Sequence, residues 1–217
     1  MIISSAIYAG VVIALGGFIF LSVESQILGS FLFSIGLLSV LVFNYSLFTG
    51  RVCYTNFYKS PLYLLYILVG NVLGASVIGW VTNPLILERA VEVSNLKLSR
   101  SLTETFIRSV LCGMFIAIGV RGFKSSGNVF IPIMAVMAFI LTGSEHVIAN
   151  AYYLSAAGML RQSLIFVCVN ALGNMVGGLA LSETLPKPKP KQEEKVQAAP
   201  AISFEEREVE ITSEVKE

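Results

Sequence analysis

The sequence predicts an all-α membrane protein with six transmembrane helices in two inverted three-helix repeats. Three observations lead to this fold class. The 217 residues are 55% hydrophobic and only 13% charged, and the mean hydropathy is +0.76, which is too apolar for a water-soluble domain of this size. Six stretches are apolar for about the 20 residues that crossing a bilayer requires. Short motifs also recur between the two halves of the chain.

The six predicted spans are joined by short polar connections. They cover residues 4–23, 25–50, 60–87, 102–122, 125–160 and 162–182. Ser101 and Glu104 form a capping box at the start of the fourth span, and Arg108 is expected to extend from that span toward the membrane interface. Because the number of spans is even, both termini lie on the same side of the membrane. The lysines of the C-terminal tail favour the cytoplasmic side.

The chain divides into a membrane part and a polar tail. Residues 1–182 contain all six spans and form the transmembrane pore domain. Residues 183–217 contain alternating prolines and lysines, followed by a segment rich in Glu and Lys. Such a composition cannot bury a core, so these residues are predicted to form a disordered cytoplasmic tail.

An internal repeat is indicated by motifs that recur at a fixed offset. Ile-Ala-x-Gly at residues 13–16 recurs at 116–119, and Gly-Asn-x-x-Gly at 70–74 recurs at 173–177, both 103 positions later. A third match, residues 48–50 with residues 141–143, has an offset of 93. A Gly-x-x-x-Gly motif alone also serves close helix packing. Three spans per half force opposite orientations, which is typical of channels and transporters.

The second and fifth spans are predicted to be broken near the middle of the membrane. The second ends in a polar, glycine-containing segment at residues 44–50, and the fifth carries Thr-Gly-Ser at residues 142–144. Non-helical backbone at that depth lines a cavity or is buried in protein. The half-helices that follow would direct free N–H groups and a positive dipole end into the cavity, which favours an anion as the ligand.

His146 is the one histidine of the chain and lies inside the fifth span. Ionisable groups within a membrane span are costly and usually functional; a purely structural hydrogen bond is the alternative. At helical spacing His146 and Asn150 share a face, so both are predicted to face the pore. Glu145 is expected to point elsewhere and to fix the break by accepting backbone N–H bonds.

These motifs resemble the formate/nitrite transporter family. The resemblance rests on Leu-Phe-Thr-Gly at residues 47–50, Gly-x-Glu-His-x-x-Ala-Asn at residues 143–150 and Gly-Asn-x-x-Gly-Gly at residues 173–178, and it covers about residues 5–182. It implies an aquaporin-like fold and a homopentamer with one pore per protomer, whose central axis is closed by lipid or apolar side chains. It also implies a bacterial-type inner membrane with both termini cytoplasmic, and formate, nitrite or hydrosulfide as the transported anion.

The resemblance also assigns roles to individual residues. The central pore residues are His146, Thr49, Asn150 and Glu145. The apolar constrictions are Phe33, Leu37, Leu47, Phe48 and Phe139. Lys97, before the fourth span, attracts anions. By their charge alone, Arg100 at the same mouth and Arg51 and Lys59 at the opposite mouth would also concentrate anions. The anion is then expected to cross as the neutral acid, with proton coupling at His146, because an apolar constriction opposes a bare ion.

Three positions depart from the family pattern. Ser46 stands where formate and nitrite members usually have Glu, Arg51 follows the Leu-Phe-Thr-Gly motif where Asn or His is common, and Gly113 stands where many formate channels place a pore Asn. All three are predicted to lie near the pore or its mouth, so they affect the substrate and not the fold. A less polar path favours hydrosulfide over a carboxylate.

Other functions are disfavoured by what the sequence lacks. No His, Cys and Glu residues have metal-ligand spacing, and Cys53 has no orienting partners for a Cys–His nucleophile, so neither an enzyme nor a metal or cofactor site is predicted. A net charge of +1 argues against nucleic-acid binding. An aquaporin-like channel for small neutral solutes remains as an alternative, although the paired Asn-Pro-Ala signature is missing. A scaffold would not need two broken helices.

Overall fold

The computed structural model describes residues 2–54 and 61–185. In these residues the chain forms eight α-helices and a short 3-10 helix at Arg161–Ser163. The helices are α1 (Ile2–Ser22), α2 (Gln26–Val42), α3 (Phe48–Val52), α4 (Pro61–Leu98), α5 (Leu102–Ser126), α6 (Phe130–Leu141), α7 (Val147–Ala156) and α8 (Leu164–Ser182). Lys59 and all but the first residues of the predicted tail lie outside the described residues.

The number of long helices differs from the number of predicted spans. Within the described residues, four helical segments are long and apolar enough to cross a bilayer: Ile2–Ser22, Pro61–Leu98, Leu102–Ser126 and Arg161–Ser182. The residues of the second predicted span form α2 and the five-residue α3, with residues 43–47 between them. Those of the fifth form α6 and α7, with residues 142–146 between them.

Helix α4 is longer than the sequence predicted. It continues past the expected end at Leu87 to Leu98, with a kink where Ile86 leaves helical geometry at φ −139° and ψ 16°. Pro84 explains the kink, because proline has no N–H and its ring clashes with the preceding turn. Lys97 therefore lies in the last turn of a helix and not on a loop.

Two helix pairs pack closely through equivalent contacts. Each residue of the second pair lies 103 positions after its counterpart in the first. The α1–α4 contact places Gly10 against the Asn71 carbonyl and Gly74 against the Ile7 carbonyl, so close that an added Cβ would overlap these atoms. The α5–α8 contact repeats this arrangement, with Gly113 against Asn174 and Gly177 against Val110. Gly113 thus lies in the α5–α8 interface, against the backbone of Asn174.

The two ends of the described chain lie at the same end of the helix bundle. Ser5, near the start of α1, accepts a hydrogen bond at 3.0 Å from the backbone N–H of Ser46. At the other terminus, Arg121 donates to the Ser182 carbonyl at 2.7 Å and lies over the ring of Tyr54. These contacts place the start of α1, the segment around α3 and the ends of α5 and α8 together.

The start of α5 forms one half of the predicted capping box. Ser101 is the N-cap, and its hydroxyl accepts the Glu104 N–H at 3.1 Å, whereas the Glu104 carboxylate bonds to Arg108. Arg108 extends back toward the first turn of α5. It pairs with Glu104 at 2.8 Å and donates to the carbonyls of Thr142 and Gly143 at 3.1 and 3.2 Å, which satisfies carbonyl groups left open at the end of α6.

Candidate functional site

Two asparagines fix the starts of α3 and α7. Asn71 accepts the Phe48 N–H at 2.7 Å and donates to the carbonyls of Ala6 and Ser46 at 2.7 and 2.9 Å. Asn71 is fully buried. Its three bonds tie α1, α4 and the segment before α3 together, which holds the first N–H of α3 in place.

Asn174 does the same for α7, 103 positions later in the chain. It accepts the Val147 N–H at 2.9 Å and donates to the carbonyls of Ser109 and Glu145 at 2.8 and 2.7 Å. Ala6 and Ser109, whose carbonyls accept from the two asparagines, are also 103 positions apart. Phe48 and Val147 therefore occupy matching positions.

The third sequence match does not correspond to this arrangement. Thr49 and Gly50 lie inside α3, whereas Thr142 follows the last residue of α6 and Gly143 lies in the turn before α7. Gly143 has φ +64°, a left-handed conformation that favours glycine. The similarity of residues 48–50 to residues 141–143 is therefore not a structural equivalence.

His146 joins the two segments at their centre. Its Nε2 lies 3.1 Å from the Thr49 hydroxyl, and its Nδ1 accepts the Ala149 N–H at 3.2 Å. Because Nδ1 accepts a backbone bond, it carries no proton, so the neutral ring has its proton on Nε2 and donates it to Thr49. His146 is 2% exposed and Thr49 1% exposed, so this bond is shielded from solvent.

Two expectations about this region are wrong. His146 is the N-cap of α7 and has extended backbone geometry, so it is not on a shared helix face with Asn150. The N–H groups at the starts of α3 and α7 are also not all free, as the prediction of an anion site assumed. The N–H groups of Phe48, Val147 and Ala149 are bonded to Asn71, Asn174 and His146.

Aromatic rings continue from His146 into α2. The Phe139 ring stacks on the His146 ring with centroids 5.6 Å apart, and Phe33 meets Phe139 edge-on at 5.9 Å. Both phenylalanines are almost fully buried. The imidazole is thus enclosed by apolar rings on the α6 side and by Thr49 at its Nε2.

The other three predicted constriction residues are also buried. Leu37 lies in α2 opposite Gly119, Phe48 is the first residue of α3, and Leu47 is its N-cap. Leu47 also lines a small cavity of about 20 Å³, together with Arg51, Tyr54 and Lys124. Arg51 donates to the Ser46 hydroxyl at 3.3 Å, so two of the three departures from the family pattern contact each other beside this cavity.

Glu145 is the centre of a buried charged cluster. Its carboxylate accepts hydrogen bonds from Lys97 at 2.7 Å, from Arg100 and from Asn150 at 2.7 Å. The expectation that it accepts backbone N–H bonds is therefore wrong. The carboxylate is fully buried, whereas Lys97 and Arg100 are 13% and 16% exposed. Two cations face one anion, so this part of the molecule has an excess of positive charge.

A cavity of about 140 Å³ lies next to this cluster and reaches the histidine. Its polar lining comes from the charged cluster, the turn before α7 and the start of α7, and its apolar lining from α4 and α6. The residues that matter here are Lys97, Arg100, Phe139, Ser144, His146 and Asn150. The structure thus brings Lys97, His146, Asn150 and Phe139 to one cavity, while Leu47 lies at the other.

Four asparagine and arginine residues were missed as site residues by sequence reasoning. Asn71 and Asn174 were noticed only as parts of repeated motifs. Asn170 accepts a hydrogen bond from the Asn150 amide nitrogen and donates to the Glu145 carbonyl and the Ser109 hydroxyl, and Arg108 donates to carbonyls in the turn before α7. The recurrence of an Asn in both Gly-Asn-x-x-Gly motifs was the available signal. In residues 2–54 and 61–185, no three His, Cys, Asp or Glu side chains form a metal-binding group.

The fold and this site define a class of protein. Long apolar helices carry large hydrophobic side chains on their outer faces, such as Trp80 and Ile165 at 77% and 70% exposure. Two short helices meet end to end inside the bundle, with their starts joined by a hydrogen bond between two buried side chains. This is the arrangement of an integral membrane transport protein, and not that of an enzyme.

The particular family is given by comparison with known proteins. The sequence pattern described as formate/nitrite transporter matches residues 1–186, and the chain belongs to this family. A formate-nitrite transporter of Plasmodium malariae is 35% identical over 98 residues, which are 40% of this chain and 31% of that protein. Formate-nitrite transporter 2 of Toxoplasma gondii (strain ATCC 50611 / Me49) is 34% identical over 96 residues, 39% of this chain and 21% of that protein. The matches thus span less than a third of either relative.

Solved structures share the fold at lower sequence identity. A pentameric formate channel with formate bound has a TM-score of 0.71 and 19% identity, over 83% of this chain and 92% of that chain. An FNT family ion channel has a TM-score of 0.70 and 17% identity, over 83% of this chain and 85% of that chain. The chain therefore has the all-helical fold of these channels.

Proposed function

We propose that this protein is a channel or transporter for small monovalent anions, namely formate, nitrite or hydrosulfide, which cross the membrane as neutral acids. The observation that carries the proposal is the buried hydrogen bond between His146 and Thr49. This bond joins the starts of α3 and α7. The cavity next to Lys97 and Arg100 lies on one side of it, and the smaller cavity lined by Arg51 and Lys124 lies on the other. Residues 1–182 form the pore domain and residues 183–217 a cytoplasmic tail.

The proposed pore lies between two inverted repeats. The pairs α2–α3 and α6–α7 act as the second and fifth of six spans, each interrupted next to the pore. The matched bonds of Asn71 and Asn174 and the matched glycine contacts at the same offset of 103 support this duplication. Three spans per repeat require opposite orientations of the halves.

The central region favours a neutral solute over a bare anion. Phe33, Phe139, Leu37 and Phe48 are buried there, and three N–H groups at the starts of α3 and α7, those of Phe48, Val147 and Ala149, are already bonded within the protein. An ion in such surroundings loses hydration without gaining equivalent partners. The cations at the wide cavity attract the anion, and protonation there lets it pass as the acid.

Proton coupling involves His146. In the geometry described, its ring is neutral, and a second proton would have to bind at Nδ1. That proton would displace the Ala149 N–H, so protonation of the histidine is linked to loss of the α7 cap. His146 and Thr49 thereby act as the central hydrogen-bonding pair that responds to pH.

Assembly and orientation follow the family pattern. The protein forms a homopentamer in a bacterial-type inner membrane, with lipid or apolar side chains closing the central axis and with both termini in the cytoplasm. The apolar outer faces of the helices, and the position of both described ends at one end of the bundle, support this arrangement. A purified particle with the mass of a monomer or trimer would contradict it.

A neutral-solute channel of the aquaporin type is the second candidate function. It is favoured by the absence of charge at the His146–Thr49 pair and opposed by the positive cluster around Glu145, which a neutral solute does not require.

Flux into liposomes separates the two functions. Purified protein is reconstituted, and uptake of formate, nitrite and hydrosulfide is compared with uptake of glycerol and with osmotic water flow. We expect saturable uptake of at least one anion that rises as the external pH falls, and no increase in glycerol flux. His146→Phe, which fills the centre with an apolar ring of larger size, is the matched blocked control. Water or glycerol flux without anion uptake would replace the proposal by the second candidate.

A further inference from the structure

The last described residues of the chain are held beside the smaller, basic cavity. Arg121 donates to the carbonyls of Ser182 and Leu185 at 2.7 and 3.1 Å. Its guanidinium lies 5.3 Å from the centre of the Tyr54 ring, and the Lys124 ammonium lies over the same ring at 4.4 Å. Tyr54 and Lys124 both line the cavity. The part of the tail that follows Leu185 therefore starts close to this cavity.

The cations at this end, Arg51, Arg121 and Lys124, form a group that we call the basic mouth. Arg51 lines the cavity and donates to a backbone carbonyl and a hydroxyl group, and Lys124 is exposed. Among the described residues, no carboxylate forms an ion pair with Arg51 or Arg121. Glu183 follows α8 nearby, but it is exposed and forms no ion pair within residues 2–54 and 61–185. The basic mouth thus has an excess of positive charge, which favours an acidic partner.

The sequence of the tail contains such a partner. Residues 186–191 alternate proline and lysine, and residues 192–217 contain eight glutamates against two lysines and one arginine, a net charge of −5. The densest acidic stretch is Glu-Glu-Arg-Glu-Val-Glu at residues 205–210. The lysines are repelled by the basic mouth, whereas the glutamates are attracted to it. Residues 186–193 span about 25 Å when extended, so the glutamates that follow have enough chain to return to the mouth.

We propose that the acidic part of the tail, residues 192–217, docks on the basic mouth of its own protomer. Exposed ion pairs are individually weak, so a separate acidic protein would bind poorly to three cations. The tail is attached beside the mouth through Leu185, which gives its glutamates an effective concentration on the order of millimolar there. Weak contacts are therefore sufficient for this segment.

The consequence for transport rests on the proposed function, whereas docking itself does not depend on it. Glutamates at the basic mouth neutralise the charge that concentrates small anions at this end of the pore. Replacing them by glutamine should therefore raise anion uptake at low salt. At high salt the difference should become small, because the exposed charges are screened.

Photo-cross-linking tests the docking directly. Phe204 immediately precedes the acidic stretch and is replaced by benzoylphenylalanine in the full-length protein. Nanodiscs of phosphatidylcholine, a lipid without net charge, avoid competition from anionic headgroups. We expect cross-links to peptides that contain residues 44–54 or 120–127, within a single protomer, and a lower yield at high salt. Cross-links confined to the tail itself, to lipid or to a second protomer would overturn the proposal.

Charge variants identify the surface that binds the tail. Arg51→Gln combined with Lys124→Gln should lower the cross-link yield about threefold or more, as the loss of two exposed ion pairs would give. Arg89→Gln combined with Arg161→Gln is the matched control, because it removes the same charge at the opposite end of the helix bundle. An unchanged yield in the first double variant would overturn the assignment.

A tail variant makes the test independent of the folding of the mouth variant. Replacing the eight glutamates of residues 192–217 by glutamine changes nothing within α1 to α8 and should abolish the salt-dependent cross-links. Cross-links that persist in this variant would show that charge does not hold the tail at the mouth and would overturn the proposal.

Docking and transport fail in different ways. A protein that takes up formate in liposomes but gives no cross-link between tail and mouth retains the transport function and loses the docking. A protein that gives the cross-link but takes up no anion retains the docking and loses the transport function. Equal formate uptake with the native and the glutamine tail at low salt would overturn the effect of docking on anion entry.

Discussion

The Nε2 of His146 lies 3.1 Å from the hydroxyl of Thr49, so the cap of α7 and the first turn of α3, 97 positions apart in the chain, share one buried hydrogen bond. Neither helix start is free to move independently of the other. The bond also has a direction, because the Ala149 N–H occupies the other ring nitrogen. Substitutions at Thr49 therefore test the central pair without removing the histidine.

Thr49→Val is expected to weaken both stability and transport. Valine has nearly the shape of threonine but no oxygen, so the His146 N–H is left buried and unpaired, at a cost of about 1–3 kcal/mol. Thermal unfolding in detergent and formate flux in liposomes measure the two effects. Thr49→Ser keeps the hydroxyl and is the control. Normal flux and stability in Thr49→Val would mean that the bond contributes to neither.

Asn71→Leu and Asn174→Leu are expected to destabilise the protein to a similar extent. Each substitution removes three buried hydrogen bonds and leaves the first N–H of α3 or α7 buried without its partner, so we expect a loss of about 3 kcal/mol or more. Denaturation in detergent measures this loss. Asn83→Leu is the control, because Asn83 makes a single bond, at 2.6 Å to the Ala156 carbonyl, and should cost about 1 kcal/mol. Unequal losses at Asn71 and Asn174 would argue against matched roles in a duplicated fold.

The apolar helices and the motif residues could be predicted from the sequence, because both depend on local composition and spacing. Membership of the formate/nitrite transporter family, predicted from residues 47–50, 143–150 and 173–178, is confirmed. The all-helical fold and membrane location are confirmed as well. The length of α4 beyond Leu87 was missed, because charged residues after an apolar run look like a loop even when the helix continues into the polar region.

The partners of the site residues were harder to predict. Periodicity placed His146 and Asn150 on one helix face, but the helix begins only at Val147, and helix boundaries depend on capping contacts from distant segments. Asn174 and Arg108 provide those contacts from α8 and α5. Backbone N–H groups were predicted as the partners of Glu145. Its actual partners include two cations, from the end of α4 and from the connection to α5, and contacts between such distant segments cannot be inferred from sequence spacing.

Lys97→Ala is expected to lower anion flux more at low salt than at high salt. The Lys97–Arg100–Glu145 cluster has one excess positive charge, and removing Lys97 makes it neutral. Exposed charges act over a Debye length of about 8 Å at physiological ionic strength, so added salt should reduce the difference between variant and unaltered protein. Arg89→Gln is the control, because Arg89 is exposed and pairs with Glu92 at 2.6 Å. An equal loss at both salt concentrations would assign Lys97 a structural role through Glu145.

His146→Asn is expected to keep the fold and to flatten the pH dependence of transport. Asparagine is among the best N-cap residues, so its oxygen can accept the Ala149 N–H in place of Nδ1. The variant thus keeps the α7 cap that the neutral imidazole provides but cannot take up a proton. In the unaltered protein, a second proton on the ring removes the acceptor for Ala149, so the α7 cap is intact at higher pH and is lost as the pH falls. Flux already depends on pH because the fraction of neutral acid does. Loss of the α7 cap should add a second pH dependence, which His146→Asn should lack. The measurement is formate flux against pH for both proteins in the same liposome preparation, with thermal unfolding at each pH to confirm that the variant is folded. Superimposable flux curves would show that His146 serves only as a structural hydrogen-bonding residue and that the proton comes from water.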